Sequence, residues 1–78
     1  MGVGMMYVIA SKDEADKAHI RTSGHRVKDG QVILNEKEVN VCSTLSGSLE
    51  ERAAQLGGEV YTYESAMQVI NEGGWKYE

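Results

Sequence analysis

No proline and no phenylalanine occur among the 78 residues, and cysteine occurs once. The lack of proline argues against a stiff linker or a polyproline ligand. The lack of phenylalanine leaves the core to Val, Ile, Leu and Met, helped by Tyr and Trp. Cys42 has no second thiol to pair with, so no intramolecular disulfide forms. No cluster of His, Cys and carboxylates has the spacing of a structural zinc site, and no cofactor-binding motif is present.

Long apolar runs are also missing. None approaches the ~20 residues that a membrane-spanning helix needs. Met5 to Ala10 is too short for the apolar part of a signal peptide and leads directly into Lys12, Asp13 and Glu14. Gly2 has the place of a myristoylation glycine, but Met6 stands where that motif wants Ser or Thr. A lone thiol and no export signal point to a cytoplasmic chain with no membrane partner. Met1 to Gly4 are read as disordered, as non-native residues, or as an alternative start with Met5 or Met6 the native one.

The length makes residues 1–78 one small domain. Such a chain buries only ~60–65% of its unfolded surface. Small domains usually add a disulfide, a metal or a partner subunit. With the first two removed, self-association is the expected supplement.

The formal net charge is −4, and it is unevenly spread. Residues 1–34 hold five Lys and Arg against four Asp and Glu; residues 35–78 hold three against eight. An acidic balance disfavours broad binding to nucleic acid or anionic membranes. The asymmetry reads as two differently solvated faces, and it is also suited to orienting a head-to-tail contact.

What is present is local punctuation. Met6 to Ala10 reads as a buried, central strand. Ser11 caps a helix with Glu14 at the reciprocal position, and the Thr22-Ser23-Gly24 run ends it. Asp29-Gly30 between extended segments predicts a type I′ hairpin, because both turn residues must take positive φ. Asn35 and Glu38 fit a capping box, so 35–42 reads as a helical turn leading into a short strand around Val41. Ser48 and Glu51 cap the next helix, whose Leu49, Ala53 and Leu56 face one way. Thr62 caps the last helix, with Tyr63, Ala66, Met67 and Ile70 on one face.

The second half carries one unit twice: a short helix, a Gly-Gly stop and an aromatic-bearing strand. The first copy closes on Gly57-Gly58-Glu59-Val60-Tyr61, the second on Gly73-Gly74-Trp75-Lys76-Tyr77. A helix between two such strands suits a right-handed crossover between parallel neighbours. The expected fold is α+β: a two-layer sandwich with a small mixed sheet of four or five short strands and three short helices mostly on one face.

Candidate chemistry is sparse. Cys42 with His19 or His25 resembles a nucleophile and base, but it has no strained elbow or third orienting group. Cys42 reads better as a packed thiol. His19 or His25 with Asp16 or Cys42 makes a thin metal-ligand set. Glu36 with Glu38, and Glu50 with Glu51, could be paired for acid–base work, but they sit among polar neighbours with Lys37 or Arg52 adjacent and read as solvated faces. Ser43 to Ser48 offers an anion only the amides that its own capping box uses.

Two sets remain. Tyr61, Trp75 and Tyr77 combine large area with a polar tip, as binding hot spots do. If the two Gly-Gly strands are neighbours, these residues form one aromatic C-terminal edge open to strand addition. Arg21, His25, Arg26 and Lys28 form the one basic stretch, able to hold an anion or a nucleic-acid backbone. The expectation is therefore a non-enzymatic interaction domain. It works by self-association as a homo-oligomer, or by docking a larger protein through Tyr61, Trp75 and Tyr77. The alternative is a small anion- or nucleic-acid-binding module using the 21–28 segment.

Overall fold

The computed structural model describes residues 4–78. The reading given to Met1 to Val3 lies outside the described residues. In chain order the elements are β1 (Tyr7–Ser11), α1 (Lys12–Lys17), β2 (Arg26–Lys28), β3 (Gln31–Asn35), α2 (Glu36–Asn40), α3 (Leu49–Gln55), β4 (Glu59–Tyr61), α4 (Tyr63–Asn71) and β5 (Lys76–Tyr77). The strands form one sheet in the order β4-β1-β3-β2-β5. This is an α+β fold, as its residue patterns predict.

The hairpin forms where Asp29 and Gly30 take φ of 51° and 79°, and it fixes Lys28 opposite Gln31 and Val27 opposite Val32. From β3 the sheet grows outward. Ile9 pairs with Ile33 across β1 and β3, Tyr7 with Tyr61 across β1 and β4, and Arg26 with Tyr77 across β2 and β5.

Alternation along the strands then sorts the two faces. Val8, Ala10, Val32 and Leu34 turn to one side. There they meet Ala15 and Ala18 at the end of α1, Val39 of α2, and Ala53 and Leu56 at the end of α3. Leu34 and Leu56 are fully buried, each stabilising the fold by about 1.5–3 kcal/mol relative to an exposed position. Tyr7, Ile9 and Ile33 turn to the other side, which α4 covers. Ala66 of α4 is fully buried there, and the rings of Tyr7 and Tyr63 lie 6.2 Å apart. Three helices thus share one face and the fourth has the other.

The capping boxes form at Asn35–Glu38 and Ser48–Glu51, each side chain accepting from the other residue's backbone. Backbone hydrogen bonding to Ser48 holds the Glu51 carboxyl below its usual range. Ser11 accepts from the Glu14 amide. Its own N–H, however, donates to the Leu56 carbonyl at 3.0 Å, so Glu14 is not needed in return.

Four local expectations change. Every strand pair is antiparallel, where a mixed sheet was expected. The two Gly-Gly strands run in the same direction but occupy opposite edges, with α4 carrying the chain across. Helix α1 stops at Ala18, several residues before Gly24, because His19 takes φ of 65°. Helix α2 runs to Asn40 and gives way to a turn, with no strand around Val41. Val41 has no strand to pair with and is 79% exposed.

Candidate functional site

Helix α4 does not cover its whole face of the sheet. Toward the β2–β5 edge it leaves an open cleft of about 240 Å³. Ile33 from the central strand and Met67 and Ile70 from α4 supply its apolar lining, with Tyr7 and Tyr77 beside them. The periodicity that puts Ala66 in the interior puts Met67 and Ile70 one helical step aside, half-buried. Four polar side chains also reach the cleft: His25, Arg26, Asn35 and Glu38.

Each polar group has a distinct setting. The Arg26 guanidinium lies 4.5 Å from the centroid of the Tyr77 ring, a cation–π arrangement set by their pairing across β2 and β5. Among the described residues Arg26 has no carboxylate within ion-pair distance. His25 Nε2 lies 2.7 and 2.9 Å from the two oxygens of Glu38. Glu38 also completes the capping box of α2, accepting from the amide of the cap residue Asn35 at 2.9 Å. The acid in the cleft is therefore already engaged twice, and the cation at its rim remains open to an anion.

The structure regroups the residues singled out by sequence. Tyr77 joins His25 and Arg26, so one member of the aromatic set and two of the basic set line the same cleft. Tyr61 lies on β4 at the opposite edge, opposite Tyr7, so no single aromatic edge with Tyr77 exists. The two strands pair with different neighbours, which separates them by the width of the sheet. Trp75 is half-buried, and its Nε1 is buried without a hydrogen-bond partner among the described residues. Lys28 extends along Gly74. Arg21 donates from Nε to the Ser23 hydroxyl at 3.3 Å.

Arg21 also lines a second hollow of about 350 Å³, together with His19, Cys42 and Thr44. The thiol there donates to the Ala18 carbonyl at 3.3 Å, and the Thr44 hydroxyl donates to the same oxygen at 3.2 Å. No hydrogen bond joins Cys42 to His19 or His25 among the described residues, so the nucleophile–base pairing does not assemble. Asp16 bonds Lys12 and Thr22 instead of either histidine. Among the described residues no group of three His, Cys, Asp or Glu is placed to hold a metal.

Met67, Ile70 and Ile33 were legible only as apolar face residues, and Glu38 as a capping-box residue or one of a carboxylate pair with Glu36. Their shared cleft depends on where α4 crosses the sheet, which no local spacing encodes. No helix of the described residues is long and apolar enough to cross a membrane. No family model, curated protein or solved structure matches the chain.

Proposed function

We propose that this chain is a non-enzymatic docking domain that receives a peptide segment of a protein partner in the cleft under α4. The segment carries an apolar side chain beside a carboxylate. The observation that carries this reading is the convergence of an apolar floor, Ile33, Met67 and Ile70, with Arg26, a cation that has no ion-pair partner among the described residues.

Size supports an anchor and not a whole substrate. Pockets that enclose small molecules usually run to ~300–1,000 Å³, and this cleft is smaller, at about 240 Å³. One Leu, Met or aromatic side chain fits such a space. A carboxylate next to that anchor would meet Arg26, whose guanidinium is already oriented by Tyr77. The free edge of β5 lies beside the cleft, where an extended segment can add backbone hydrogen bonds. Cytoplasmic placement belongs to the same proposal, with Cys42 as an unpaired thiol.

The experiment is selection of random peptides displayed against the native chain. Enrichment of Leu, Met or an aromatic adjacent to Asp or Glu supports the reading. Binding of those peptides should fall at least tenfold in Arg26→Glu and in Met67→Gln. Enriched peptides indifferent to both substitutions would overturn it. Light scattering over a hundredfold concentration range tests whether a second copy can be the partner. The anion- or nucleic-acid alternative through Arg21, His25, Arg26 and Lys28 has a different signature: affinity for a short single-stranded oligonucleotide that falls steeply with salt.

A further inference from the structure

We infer that His25 is a proton-operated latch that couples pH to the C-terminal wall of the cleft. Both ring nitrogens face acceptors. Nδ1 lies 3.2 Å from the Ser23 carbonyl oxygen, and Nε2 lies 2.7 and 2.9 Å from the Glu38 carboxylate. A carbonyl and a carboxylate only accept, so both bonds are made at once only by the imidazolium, which carries a hydrogen on each nitrogen. The pair is largely shielded, with side-chain exposures of 21% for His25 and 24% for Glu38.

The same turn holds Glu78, the residue after β5. The Glu78 amide donates to the His25 carbonyl at 3.0 Å, and the Gly24 amide donates to the Glu78 carbonyl at 3.3 Å. Strand β5 is otherwise paired only through Arg26 with Tyr77 and Val27 with Lys76. Glu38 does not follow the ring freely, because the α2 capping box fixes it at both ends.

Loss of one proton then has a directed consequence. A bare Nε2 lone pair against the carboxylate is repulsive, so the neutral ring keeps its hydrogen on Nε2. The Nδ1 lone pair is left facing the Ser23 oxygen. The turn from Thr22 to His25, closed by the His25 amide on the Thr22 carbonyl at 3.1 Å, must shift to part them. That turn carries both bonds to Glu78, so β5 and Tyr77 loosen as pH rises.

The charged and titratable groups around the ring are few. Glu38 bonds it from α2, and Tyr7 of β1 lines the same cleft. Arg21 lies in its own loop, Arg26 on β2 and Tyr77 on β5. The Glu78 side chain is turned to Lys12 at 3.3 Å. Helix α4 contributes only Met67 and Ile70 to the cleft. The latch goes beyond the docking reading and needs no partner, so either stands if the other fails.

The test is read on the chain alone. Ring nitrogen chemical shifts of His25 and amide-exchange protection of Glu78 and Gly24 are followed together across a pH series, from a doubly protonated to a neutral ring. The expected result is a doubly protonated ring at the acid end and an Nε2–H neutral form at the other. Protection at Glu78 should fall about tenfold along the same titration, the loss of one charge-assisted hydrogen bond. His25→Gln should abolish that pH dependence. Flat protection at Glu78 while the ring titrates overturns the latch, and so does an Nδ1–H neutral form. Should His25→Gln fail to fold, these two readings on the native chain decide alone.

Discussion

The Arg26 guanidinium stands 4.5 Å above the Tyr77 ring, joining the last two strands of the sheet on the face that holds the cleft. Tyr77 is 66% exposed, so its ring contributes little to the core and lies open at the surface, where the proposed peptide would meet it. Tyr77→Ala should leave the melting temperature within a few degrees of native and weaken a selected acidic-apolar peptide by about 1–2 kcal/mol. Tyr77→Phe keeps the ring face and should bind within about twofold of native, or ~0.4 kcal/mol. Calorimetric titration of the two variants checks this. Equal losses in both would assign the effect to the hydroxyl and not to the stacked ring.

The two glycines of the first Gly-Gly stop are not equivalent. Gly57 supplies the positive φ, whereas a Cβ on Gly58 would strike the Ile9 carbonyl oxygen and the Ala10 Cα. Those are backbone atoms of an interior strand and cannot swing aside. Gly58→Ala should therefore cost about 3 kcal/mol or more, enough to unfold a good part of so small a domain. Gly24 is the comparison: its φ is 83° and nothing lies within 4 Å of an added Cβ. Gly24→Ala should cost only the left-handed strain, about 1–2 kcal/mol. Urea denaturation of the pair separates close approach from backbone conformation.

These glycines also show where the sequence is readable. The Asp29-Gly30 hairpin and the capping residues Asn35, Ser48 and Thr62 were legible because their physics closes within four residues. The α+β class followed from them. The sheet order was not legible, since β4 and β5 carry the same helix-Gly-Gly signature while pairing with partners far away in sequence. The candidate site suffered the same way. Tyr77, His25 and Arg26 could be named one by one. Their union with Met67 and Ile70, and the 13-residue separation of His25 from Glu38, depend on the long crossing of α4 and on the placement of α2.

Stability in acid should depend on Asp16. Its carboxyl is held below the usual value of 3.8, chiefly by the hydrogen bond from Lys12 and further by that from Thr22. A depressed folded-state pKa adds stability that is fully present above the unfolded value and is lost as pH falls through the lower folded value. Asp16→Asn should therefore be less stable than native at neutral pH, and the gap should close below about pH 3.8. Lys12 mirrors it. Hydrogen bonds to Asp16 and then Glu78 raise its pKa above 10.5, so its contribution is present below that value and lost as pH rises through the folded one. Denaturation midpoints across a pH series read both limbs. Parallel native and Asp16→Asn curves through the acid range would remove the assignment.

Helices α1 and α3 end in the same way with different residues. In α1 the His19 amide donates to the Asp16 carbonyl and the Ile20 amide to the Ala15 carbonyl, each at 3.0 Å. In α3 the Gly57 amide donates to Ala54 at 3.0 Å and the Gly58 amide to Ala53 at 2.9 Å. This is the Schellman pattern, whose turning residue is left-handed and usually glycine. Gly57 takes that place at φ 67° without strain; His19 takes it at φ 65° with a Cβ. A histidine there costs about 1–2 kcal/mol, offset in part by the greater freedom glycine gives the unfolded chain. His19→Gly should consequently stabilise the domain by about 0.5–1 kcal/mol and raise its melting temperature by roughly 2–8 °C. The substitution leaves the cleft untouched, since His19 lines the other hollow, so peptide affinity should not change. A melting temperature that falls in His19→Gly would show that the imidazole contributes more to the fold than its backbone costs.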